Sequence, residues 1–149
     1  MSVILSVMLI MGLMMPGSVL AQQDDQATIL KMTINLPELQ NYYPAAADGT
    51  SKQVTIMQYP VAFPKDLAVS GNNTKVVFME RDEVTAKQVN AFFRFRSIES
   101  TPTKYTVYGH YFYNYDFVTK KSEIIEVRAE FEKKGADWKM VKSNVKGVE

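Results

Sequence analysis

SEIIEVRAEFE, Ser122 to Glu132, sets Ile125, Val127, Ala129 and Phe131 in strict alternation with Glu126, Arg128, Glu130 and Glu132. Successive side chains on a strand point to opposite faces, so this run predicts a β-strand with one buried and one wet face. Working outward, Ala91 to Ile98, Lys104 to Phe117 and Trp138 to Val145 are also strand-length runs rich in aromatic and β-branched residues. Their connections, Glu99 to Thr103, Thr119 to Lys121 and Lys133 to Asp137, are short enough to join antiparallel neighbours. The chain is therefore expected to close in a four-stranded antiparallel meander.

A sheet that is wet on one face must bury the other, and the amino-terminal half is the material at hand. There Leu30, Met32, Ile34 and Leu36 alternate with Lys31, Thr33 and Asn35, which predicts a strand over Thr28 to Leu36. A competing helical spacing (Ile29, Met32, Leu36, Leu39, Tyr43) is the less regular of the two. Pro37 to Tyr43 reads as a short helix that Pro44 stops, and Gln22 to Gln26 as a frayed polar segment. Lys52 to Tyr59 and Lys75 to Glu80 read as strands, separated by a proline-rich irregular stretch and a turn at Ser70 to Asn73. Arg81 to Asn90 has the composition of one or two helical turns. The expected fold class is α+β: an antiparallel sheet with a short helix and irregular segments packed on one face. The last strands, with Trp138 following a hairpin that contains Gly135, resemble the closing strands of the NTF2-like and cystatin-like superfolds. That resemblance implies architecture only.

Ser2 to Met15 is almost wholly apolar, Pro16-Gly17 follows, and Val19-Leu20-Ala21 supplies small residues at a cleavage position. The pattern is that of a signal peptide over residues 1–21 and is too short for a membrane span. The expected product is one domain, 22–149, exported to the periplasm or the extracellular space. The segment has no Lys or Arg, so retention as an interfacial anchor is the alternative. Seventeen basic and 16 acidic residues leave a net charge of +1, which gives no electrostatic drive toward nucleic acid or an anionic membrane. The absence of cysteine excludes disulfides, thiolate metal sites and cysteine nucleophiles. No metal and no cofactor are expected.

One histidine, His110, narrows the chemistry further. A zinc site built on several histidines is impossible, and any Ser-His-Asp arrangement would need this residue. It sits within YGHYFYNYD, Tyr108 to Asp116, where a partner must come from a neighbouring strand, with Arg128 or Glu130 the candidates. Ten of the 17 aromatic residues fall between Phe92 and Phe117, concentrating aromatic area on two strands. Tyr105, Tyr111, Tyr113 and Tyr115 are expected on one face with Val107 and Gly109, and Tyr108 and Phe112 on the other. Tyr108, Tyr111, Tyr113 and Tyr115 are the candidate binding residues for a carbohydrate or a protein partner, with Tyr111 and Tyr113 expected to face solvent. Gly109 is expected to mark a bulge. Arg94 and Arg96 share a face and are expected to pair with acidic side chains; Asp82, Glu83, Glu123, Glu126 and Glu130 read as a solvated charged set. No phosphate loop, G-x-S-x-G, H-E-x-x-H or calcium loop is present.

The functional expectation is a non-catalytic binding or structural module of the envelope or extracellular space. The alternatives are an NTF2-like pocketed enzyme using His110, and an accessory subunit that docks a partner through an aromatic sheet face.

Overall fold

A computed structural model describes residues 17–69, 71 and 73–149, with side chains from residue 22 onward. The apolar run Ser2 to Met15 and two positions of the Ser70 to Asn73 turn lie outside the described residues. The described chain is a six-stranded mixed sheet with two helices.

The first element corrects the reading of Thr28 to Leu36 as a strand. Gly17–Ile34 is an α-helix, α1, and Gln22 to Gln26 belongs to it. Ile29, Leu30, Thr33 and Ile34 are buried, a helical stripe that the alternation of Leu30, Met32 and Ile34 had masked. The two threonines that favoured a strand are accommodated by bonding back along the helix. Thr28 Oγ1 donates to Asp24 O at 2.9 Å and Thr33 Oγ1 to Ile29 O at 2.8 Å. Pro37 ends the helix, and the segment expected as a second helix is a single 3-10 turn, Pro37–Leu39, with no side-chain cap from Leu36.

β1 (Lys52–Met57) pairs in parallel with β2 (Thr74–Met79) on one side and with β3 (Phe92–Ser100) on the other. The sheet is therefore mixed and not purely antiparallel as expected. Parallel neighbours need a crossover, here the irregular segment after Tyr59 and then the six-residue helix α2 (Arg81–Ala86). β4 (Lys104–Tyr113), β5 (Glu123–Lys134) and β6 (Asp137–Val148) follow β3 in order, each antiparallel to its predecessor. β4 stops four residues before the expected end, because Asn114 adopts a left-handed φ of 52°.

The main core lies between α1 with the irregular amino-terminal segments and one sheet face, and includes Val54, Ile56, Phe93, Phe95, Tyr111, Val127 and Phe131. The expected single cover is incomplete as an account. A smaller cluster of Met57, Met79, Val84, Phe92 and Phe112 sits on the opposite face beneath α2. Beyond that cluster the second face is open and polar.

β3 carries a bulge between Phe95 and Ser97, opposite Gly109. Before it, Phe93 and Phe95 face the core; after it, Ile98 pairs with Val107 and faces the core instead. Arg96, left unpaired at the bulge, joins Arg94 on the open face. Bulges re-aim side chains in this way beside functional sites.

Candidate anion-binding cleft

The pleat of β4 divides the candidate tyrosines. Tyr105 and Tyr111 lie in the main core; Tyr111 is fully buried, so it does not face solvent as expected. Its hydroxyl donates to Tyr42 O at 3.3 Å, and burial pushes the phenol far above its ordinary range. Tyr113 is half-buried against Tyr42, ring centroids 5.0 Å apart, and Glu123 beside it pushes its phenol up to about 12. Tyr115 follows the left-handed Asn114 and falls on the opposite side, 5.6 Å from the Phe92 ring. Tyr108 is half-buried on the open face. The four tyrosines do not form one ladder.

His110 occupies the middle of a row crossing four strands: Arg94, His110, Glu126 and Lys146 are register partners. Tyr108 Oη lies 3.1 Å from His110 Nε2 and donates to Glu126 Oε2 at 3.4 Å. The carboxylate reached from the imidazole is thus Glu126, through a phenol, and not Arg128 or Glu130 as expected. Burial first, then the Arg94 and Arg96 charges, pushes the imidazole below its ordinary 6.5, with Glu126 opposing. His110 stands on an open sheet face.

Beside that row, at the end of the face nearest α2, lies a cleft of about 520 Å³. Four cations reach it: Arg81 from α2, Arg94 and Arg96 from β3, and Lys120 from the β4–β5 loop. Five rings, Tyr59, Phe92, Phe112, Tyr115 and Phe117, complete most of its wall, and no carboxylate lines it. Three cations rest on rings. Arg81 Cζ lies 5.5 Å from the Tyr59 centroid, Arg94 Cζ 4.9 Å from Phe112 and Lys120 Nζ 5.9 Å from Phe117.

None of the four cations makes an ion pair among the described residues. This corrects the expectation that Arg94 and Arg96 pair with acids. Arg94 Nε is buried with no hydrogen-bond partner. Burial, then Arg96 and also Arg81, holds the Arg94 guanidinium below its ordinary range. Leaving a buried donor unmade costs about 1–3 kcal/mol, and more for a charged group. An oxyanion held against the guanidinium would relieve the repulsion that Arg96 and Arg81 exert on Arg94.

The acidic side chain of the loop that carries Lys120, Asp116, is engaged elsewhere. Asp116 Oδ1 accepts from Val118 N at 2.8 Å and Thr119 N at 3.1 Å, which fixes the loop that presents Phe117 and Lys120. Of the carboxylates read as a solvated set, Glu83 pairs with Lys87, Glu126 with Lys146 and Glu130 with Arg128.

Comparison with family models, curated proteins and solved structures finds no match. The site is therefore read from its own geometry. Sequence reasoning missed Tyr59, Arg81, Phe117 and Lys120, which come from three separate segments. The one local signal was FFRFR, Phe92 to Arg96, where two arginines share a strand face with a phenylalanine.

Proposed function

We propose that this chain is a small exported binding module, non-catalytic, that holds an oxyanion-bearing small molecule in the cleft between α2, β3 and the β4–β5 loop. The observation that carries the reading is Arg94: stacked on Phe112, its Nε buried without a partner, and accompanied by three further unpaired cations. An arginine whose face is covered by a ring offers its N–H edge, and that edge matches an oxyanion side-on. The cleft volume suits a small molecule. His110 lies on an open sheet face and outside the cleft wall, which weighs against the alternative of a pocketed enzyme built on it. Tyr105 and Tyr111 are buried in the main core, which weighs against an aromatic docking face on that side. Export rests on the apolar segment before Ala21. Kinship with the NTF2-like or cystatin-like architectures is part of the same proposal. It is supported by a helix lying on a sheet whose last four strands pair in sequence order.

Calorimetric titration of the protein with inorganic phosphate tests this reading. Arg94→Gln should weaken binding by about tenfold or more, as loss of a charge-assisted hydrogen bond does, while His110→Gln leaves it within about twofold. Unchanged binding in a folded Arg94→Gln protein would sink the reading.

A further inference from the structure

We infer that the ligand of this cleft is a phosphate monoester carried on a flat aromatic ring. The inference rests on the anion-binding reading above and specifies what the anion is attached to. A bare phosphate or sulfate fills only a small part of about 520 Å³, so most of the cleft must accommodate something other than the anion. Most of the remaining wall is aromatic, and four of its rings touch one another. Phe92 stacks on Phe112 with centroids 5.1 Å apart at 21°, Tyr115 lies 5.6 Å from Phe92, and Phe117 lies 4.8 Å from Tyr115. A planar ring meets such a wall by stacking or by an edge contact, whereas a puckered aliphatic ring lacks the matching quadrupole.

The anion's valence follows from the cations. Arg81, Arg94, Arg96 and Lys120 line one cleft with no carboxylate in its wall, and Arg96 and Arg81 both disfavour the charge on Arg94. A single negative charge leaves much of that repulsion in place, and a dianion removes more of it. A carboxylate offers two coplanar oxygens and one charge. A phosphate monoester offers three oxygens in a tetrahedral array and approaches two charges at pH 7. It can meet the Arg94 edge and still present oxygen to Arg96 and Arg81.

The test compares four probes on the intact protein at one ionic strength: phenyl phosphate, cyclohexyl phosphate, benzoate and inorganic phosphate. Phenyl phosphate should bind tightest, ahead of cyclohexyl phosphate by roughly two- to tenfold, the range an aromatic contact supplies. Benzoate should trail it by at least as much. Tyr115→Leu should erase the preference for phenyl over cyclohexyl phosphate. If phenyl phosphate binds no better than inorganic phosphate, or benzoate equals it, the inference is overturned while anion binding stands. If no probe binds, or Arg94→Gln changes nothing, the underlying reading fails and the inference with it.

Discussion

At position 109 the backbone of β4 runs so close to two phenylalanines that a side chain has no room. A Cβ built there would lie 2.7 Å from Phe93 Cε1 and 3.3 Å from Phe95 Cδ1. Those two rings stack at 4.4 Å in the buried face, so neither can swing aside freely. Gly109→Ala should therefore overpack the core and destabilise the protein by about 1–3 kcal/mol, read as a lower urea midpoint at unchanged m-value. An unchanged midpoint would mean that the Phe93–Phe95 stack is mobile. The sequence marked Gly109 as unusual within an aromatic strand but located the bulge on the wrong strand. The extra residue is on β3, across from it. The same limit applied to the tyrosines. Period-2 counting separates Tyr108 from Tyr111 correctly, but it runs on past Tyr113 because no local signal announces the left-handed Asn114.

Among the elements, the β4–β5 connection matters most to the cleft, since it carries Tyr115, Phe117 and Lys120. Its shape is set by Asn114 and Lys120 at φ of 52° and 59° and by the bonds from Val118 and Thr119 to the Asp116 carboxylate. Asp116→Ala removes those acceptors. The expected outcome is faster amide exchange at Val118 and Thr119, with weaker phosphate binding and little change in the thermal midpoint. Preserved exchange rates would show that the loop is held by its other contacts. The last four strands were legible in the sequence because strong β-formers alternate there over long runs. α1 was not, because its buried stripe at Ile29, Leu30, Thr33 and Ile34 overlaps a strand-like alternation, and tertiary packing decided between them. Its docking is also non-local, as in the Asp25–Lys133 ion pair at 3.6 Å.

For the whole molecule, the parallel pairing of β1 with β2 and β3 could not be read from any one segment. It depends on how crossovers return the chain, whereas the antiparallel pairs follow from short loops. The cleft was illegible for the same reason. The expected cleavage point after Ala21 falls within α1, which spans Gly17–Ile34. Among the described residues no helix is long and apolar enough to cross a membrane. Intact mass of the protein recovered from outside the producing cell should correspond to a chain beginning at Gln22; a mass that includes Met1 to Ala21 would favour the anchored form.

Four of the 17 basic residues gather at the cleft without acidic partners, so the remaining 13 are outnumbered by 16 carboxylates, and the rest of the surface carries −3. A chain that looks nearly neutral by its total thus concentrates positive charge at the binding mouth. At low ionic strength the field of that cluster draws a small anion toward the cleft. Raising the salt shortens the reach of that field to a few ångströms and leaves encounter to chance collision.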